Sequence, residues 1–192
     1  MRENLILEIY KKNQTVFTTR ELSVLFPGVP YGGLRRKLSY YVKTGKLLHL
    51  RRGVYAKEKF DSWELANKIY APSYISLETI LRKEGVIFQQ SDVISVVSYL
   101  TREIISGGVK IFYRKIESEI LTNNRGIVNE DNYFFASKER AFLDAVFLYK
   151  DYHFDNLSVL DWDKIFDLVG IYGSKTLEKR VKEFFQVFEK EK

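Results

Sequence analysis

A chain of 192 residues, 45% hydrophobic and 29% charged, has the composition of an ordinary globular protein with room for one core or two small ones. It holds no cysteine, which excludes a disulfide framework, a thiolate metal site and a cysteine nucleophile, and fits a reducing cytoplasm. The net charge of +6 is unevenly spread: residues 1–60 carry 13 Lys/Arg against 4 Asp/Glu, a balance of +9, and residues 61–192 a balance of −3.

The opening stretch, MRENLILEIYKK, is amphipathic and lacks the apolar run and cleavage site of a signal peptide. No segment approaches the ~18 apolar residues of a membrane span, so a cytoplasmic protein without membrane contact is expected. Leu5, Ile6 and Ile9 fall at helical spacing and predict a first helix over 4–12. The β-branched and aromatic run 14–18 reads as a short edge strand. Thr19 then reads as the N-cap of a helix that ends near Phe26, where Pro27-Gly28-Val29-Pro30 breaks it. A third helix runs from Tyr31 to Thr44, with Gly45 as its C-cap. Leu47–Leu50 reads as a strand, Arg51-Arg52-Gly53 as a turn and Val54–Ala56 as the return strand. Helix, short strand, helix, longer helix and hairpin, in that order, predict a winged helix-turn-helix over residues 1–60.

Beyond residue 60 the character changes, and residues 61–192 predict a second, α+β domain with a helical C-terminus. Residues 61–70 read as a linking helix that Ala71-Pro72-Ser73-Tyr74 breaks. Ser76 is the expected cap of the next helix, which Gly85 closes. Val93–Tyr99 and Val109–Ile116 are β-rich, with Gly107-Gly108 as the turn between them, and Asn123-Asn124-Arg125-Gly126 is a loop. Tyr133–Ala136 predicts a strand, and Ser137 the cap of an apolar helix. Helices over 161–169 and 175–190 follow. In the last, Leu177, Val181, Phe184, Phe185 and Phe188 share one face.

The third helix carries the densest chemistry. At about 100° per residue, Leu34, Leu38, Tyr41 and Val42 point to the core. Gly32, Gly33, Arg36, Ser39, Tyr40 and Lys43 form the opposite stripe, with Arg35 and Lys37 on its flanks and Tyr31 at its start. A major-groove helix needs such a face. Arg36 offers a bidentate fork to a guanine edge, Ser39 and Tyr40 reach base or phosphate, and Lys43 reaches phosphate. Arg51 and Arg52 are expected at the hairpin tip, against the neighbouring backbone or minor groove. Lys46 and Lys57 extend the basic surface, and Thr19 and Arg20 sit where the second helix crosses the phosphates.

Enzymatic readings fare worse, and no catalytic residue, metal or cofactor is expected. His49 and His153 have no partner at ligand spacing. Gly170–Thr176 is too short for a P-loop, which sets four residues between its first Gly and the Gly-Lys pair. Asp161-Trp162-Asp163 is better explained as an acidic first turn that complements a helix dipole. Residues 117–167 hold 11 Asp/Glu against 5 Lys/Arg, a solvated face or a docking surface for a basic partner.

Five stretches carry a family resemblance. They are Phe17-Thr18-Thr19-Arg20-Glu21-Leu22, Leu34-Arg35-Arg36-Lys37-Leu38, and Val42–Leu47 running into Leu50–Tyr55. The other two are Ala66–Glu78 and Ala136–Asp144. In their order they resemble the AbiEi-type antitoxins of bacterial type IV toxin–antitoxin systems, over roughly residues 4–160. The resemblance implies an N-terminal winged helix that represses its own operon at inverted repeats in the promoter. It also implies a C-terminal domain that counters a nucleotidyltransferase-type toxin, without need of a stable complex, and it offers no catalytic residues. The reading from another class is a winged helix that binds protein or RNA, since fold does not fix function.

Overall fold

The architecture comes from a computed structural model that describes residues 5–130 and 132–191. Asn4, at the start of the expected first helix, lies outside the described residues. Among the described residues the chain is mixed α+β, with two sheets and a helical C-terminus.

Helix α1 spans Leu5–Lys11 and buries Leu5, Ile6 and Ile9. Strand β1 (Val16–Thr18), helices α2 (Thr19–Leu25) and α3 (Tyr31–Lys43), and strands β2 (Leu48–Arg51) and β3 (Val54–Ala56) follow. The order is the expected one, but the cap of α2 is Thr18, not Thr19. Thr18 Oγ1 accepts from the Glu21 amide at 3.1 Å, and Glu21 Oε2 accepts from the Thr18 amide at 2.7 Å. This capping box satisfies two amides that the first turn leaves orphaned. In a Thr-Thr pair, the glutamate three residues after Thr18 is what decides between them. Thr18→Ala is expected to cost about 1 kcal/mol in urea unfolding.

A Schellman motif ends α3. Gly45, at φ +69°, donates to Val42 O at 3.1 Å, and the Lys46 amide to Tyr41 O at 2.8 Å. The three helices close over Phe17, Leu22, Leu34, Leu38 and Leu47. The small antiparallel sheet, in the order β1-β3-β2, gives this core one face. Its other face, Val16, Val54 and Ala56, belongs to the larger core of the second unit. The two units are therefore packed together through a shared sheet. Helix α4 (Ser62–Ile69), capped by Asp61, reinforces the joint. Its buried Glu64 accepts from the Thr15 amide at 2.8 Å and the Thr15 hydroxyl at 2.6 Å.

The second unit is built on strands β4 (Ser73–Ile75), β5 (Val93–Ser98), β6 (Arg102–Ser106), β7 (Val109–Lys115), β8 (Ile127–Glu130) and β9 (Tyr133–Ala136). They form one sheet in the order β6-β7-β5-β4-β9-β8, parallel at β5/β7 and β4/β9 and antiparallel elsewhere. Helices α5 (Leu77–Lys83), α6 (Ser118–Leu121), α7 (Lys138–Leu148), α8 (Trp162–Val169) and α9 (Lys175–Glu191) complete it. Gly107-Gly108 does not join β5 to β7 as expected. It turns β6 into β7, with both glycines at positive φ, +58° and +80°. Gly107 also lies against the N-terminal unit. A Cβ there would stand 2.8 Å from Phe60 Cζ and 3.0 Å from Leu50 Cδ2. Gly107→Ala is expected to cost about 1–3 kcal/mol in the same unfolding measurement, from strained backbone and displaced side chains.

Ser76 occupies the N-cap position of α5, but its hydroxyl makes no cap bond. It donates instead to Asp144 Oδ2 at 2.7 Å. Asp144 also accepts from the Tyr172 hydroxyl at 2.6 Å and the Tyr74 hydroxyl at 3.2 Å. Arg140 Nε lies 3.5 Å from its Oδ1, with both side chains fully buried. Arg140 also donates to Ile120 O at 2.8 Å and Arg125 O at 3.1 Å. Burial pushes the Asp144 carboxyl above the usual carboxylate range, against Arg140 and three hydroxyls that pull it down. One buried cluster thus fastens β4, α5, α7 and the α6–β8 loop together. The face of α9 packs on the aromatic layer: Phe184 on Phe142 and Phe154, Phe185 and Phe188 on Trp162.

Candidate nucleic-acid interface

The surface of α3 follows from its packing. Leu34, Leu38 and Tyr41 are buried and Val42 packs beside them, which turns the opposite side of the helix to solvent. Arg35, Arg36, Lys37, Ser39, Tyr40 and Lys43 are all exposed there. Lys46 joins them just past the Schellman turn. None of the cations among them is held in an ion pair among the described residues. Tyr31 and Tyr40 are 57% and 58% exposed. The start of α3 has no side-chain cap, because Pro30 holds the N-cap position.

Two carboxylates of the N-terminal unit are occupied elsewhere. Glu21 closes the capping box and bonds to Lys68, and Glu8 pairs with Lys11. The α3 face is therefore a convex strip of hydroxyls and of cations that make no ion pair among the described residues. A helix of ~10–12 Å diameter bearing such a strip matches the ~12 Å width of a duplex major groove.

The flanking residues divide. Arg52 is exposed at the hairpin turn beside Gly53, which takes φ +76°. Arg20 is exposed on the first turn of α2. Three expected contacts are drawn inward instead. Thr19 is buried, and both its amide, at 2.8 Å, and its hydroxyl, at 3.3 Å, donate to Gly53 O. Arg51 does not reach outward from the hairpin tip: it donates to the Tyr70 hydroxyl at 2.9 Å, with its guanidinium 5.4 Å from the ring centre. Strand β2 includes Arg51, so the turn is shorter than expected and Arg51 faces the second unit. Lys57 donates to Lys12 O and lies over the rings of Tyr10 and Phe17.

A residue outside the expected set joins this border. Arg102 of β6 donates to the same Tyr70 hydroxyl at 3.1 Å, and Ser106 of β6 donates to Leu50 O at 3.0 Å. The edge strand is thus tied to the hairpin. Residues 102–106 open with two charges and carry no plain strand pattern, so nothing in the sequence places Arg102 beside Arg51.

The other motifs are local structure. Asp161 caps α8, accepting from the Lys164 amide at 3.2 Å. Gly170–Tyr172 forms a 3-10 turn, Gly173 takes φ +57°, and Ser174 Oγ accepts from the Leu177 amide at 3.2 Å. His49 is exposed with its ring centre 5.1 Å from that of Tyr55, and His153 Nε2 lies 3.6 Å from Asp155. Part of the acidic stretch has structural work: Glu139 and Asp144 are buried, and Asp155 accepts from the Phe88 amide at 2.7 Å. Among the described residues no helix is long and apolar enough to cross a membrane, and no group of three or more His, Asp and Glu is placed to hold a metal ion.

A comparison with protein-family models finds none that matches this chain, and a comparison with curated proteins finds no match.

Proposed function

We propose that the N-terminal unit is a winged helix-turn-helix that binds duplex DNA, with α3 in the major groove and the β2–β3 hairpin as the wing. The observation that carries this reading is the outward face of α3, where Arg35, Arg36, Lys37 and Lys43 stand exposed without an ion-pair partner among the described residues. Arg36, at the centre of the strip, reads a base edge; Tyr31, Ser39, Tyr40, Lys43 and Lys46 hold base or phosphate. Arg52 approaches the neighbouring backbone, and Arg20 contacts phosphate from α2. Lys57, Thr19 and Arg51, each engaged within the protein, are left out of the contact set.

The resemblance to AbiEi-type antitoxins supports a fuller reading. The chain represses its own operon at inverted repeats, and residues 61–192 counter a nucleotidyltransferase-type toxin encoded alongside. Two measurements separate the parts. Fluorescence anisotropy with the chain's own promoter duplex, competed by an unrelated duplex, is expected to show preference for the promoter; equal affinity for both contradicts the operator claim. Co-expression with the neighbouring toxin gene is expected to restore growth, and failure to do so leaves the repressor role alone.

A further inference from the structure

At the junction of the two units lies a cleft of about 660 Å³, between the start of α2, the end of α4 and the β8–β9 edge. A hollow of roughly 300–1,000 Å³, mostly apolar with a few placed polar groups, is the usual form of a small-molecule site. This one is lined mainly by apolar atoms, among them Leu121, Ile127 and Phe134. Phe134 is 48% exposed, a large ring left uncovered beside the hollow.

Three charged residues line the cleft: Arg20, Glu21 and Lys68. Glu21 and Lys68 bond to each other and cancel. Arg20 has no ion-pair partner among the described residues, so the wall keeps one uncompensated positive charge beside an apolar floor. Burial of an apolar body against Phe134 and Ile127, with an anionic group on the guanidinium, uses both features.

We propose that this cleft binds a small organic anion with a flat apolar body, and that its occupation weakens DNA binding. The anion pairs with Arg20. That guanidinium is a phosphate contact in the DNA reading, so ligand and DNA compete for it, and reciprocity requires each to weaken the other by the same factor. The coupling rests on the DNA reading; the ligand site does not.

The test uses the full chain and two fluorescent probes, 8-anilinonaphthalene-1-sulfonate and its uncharged relative N-phenyl-1-naphthylamine. A single equivalent of each is expected to bind. Asn124→Trp, on the loop that walls the cleft, is expected to lower both affinities by about tenfold. Arg20→Gln is expected to weaken the sulfonate roughly threefold and leave the uncharged probe unchanged. Saturating sulfonate is expected to weaken promoter binding, again roughly threefold. Unchanged sulfonate affinity in Asn124→Trp, with an unchanged melting temperature, overturns the site. Equal loss of both probes in Arg20→Gln overturns the role of the charge. Probe binding that leaves duplex affinity untouched overturns the coupling. If both probes bind as expected while no duplex binds, the DNA reading fails and the ligand site stands.

Discussion

Arg140→Ala is expected to lower the free energy of unfolding by about 3–5 kcal/mol, because it strands the Asp144 carboxylate in the core. For a chain of this size that corresponds to a fall of roughly 10 °C in melting temperature, read by circular dichroism. Both side chains are fully buried, and Arg140 also satisfies the Ile120 and Arg125 carbonyls, which would be orphaned with it. The double variant Arg140→Met with Asp144→Leu is expected to recover much of the loss, since the penalty comes from the unpaired charge rather than from the missing pair. A single variant within about 1 kcal/mol of the parent would show that the cluster is not what fastens the sheet to α7.

Arg36→Ala is expected to cost about 1–3 kcal/mol of promoter affinity and to relax sequence preference, since a base-edge fork is lost. Arg52→Ala, at the exposed hairpin turn, is expected to weaken promoter and unrelated DNA about equally. Arg51→Ala separates the structure from the plain charge count. Its guanidinium is held on Tyr70, so it is expected to change DNA affinity less than Arg52→Ala does. Competition anisotropy with both duplexes reads all three. If Arg36→Ala binds like the parent, the recognition face has been assigned to the wrong residues.

The N-terminal unit was legible because its signals are local. Leu34, Leu38 and Tyr41 mark the inner side of α3, Pro27 to Pro30 and Gly45 bracket it, and Gly53 marks the hairpin. Each acts within a few residues, and the structure departs only by one position at the C-terminus of α3, where Thr44 is the C-cap and Gly45 the left-handed residue after it. The side chains that turn inward do so toward partners distant in the chain. Nothing near Arg51 in the chain announces Tyr70, and nothing near Thr19 announces the Gly53 carbonyl. In the second unit, β6 escaped because Arg102-Glu103 opens it with two charges and its Ile105 faces solvent, as an edge strand permits. Strand β8, Ile127-Val128-Asn129-Glu130, is likewise an exposed edge. Strand β4 was hidden by Pro72, which reads as a break although three buried residues follow it.

The charge of the α3 strip was legible in the sequence, whereas its pairing state was not: among the described residues its cations make no ion pair. The cleft beside Arg20 left no trace in the sequence, since its walls come from α2, α4, α6 and β9 at once.

The central claim is that the exposed cations of α2, α3, the turn after α3 and the hairpin bind duplex phosphates. The salt dependence of promoter binding tests it most directly. If Arg20, Lys43, Lys46 and Arg52 each neutralise a phosphate, affinity should fall steeply with rising salt, at about 0.9 logarithmic units per phosphate per tenfold change. Arg52→Ala should lower that slope by about one unit. Promoter binding that is indifferent to salt, or a slope unchanged in Arg52→Ala, would contradict the account.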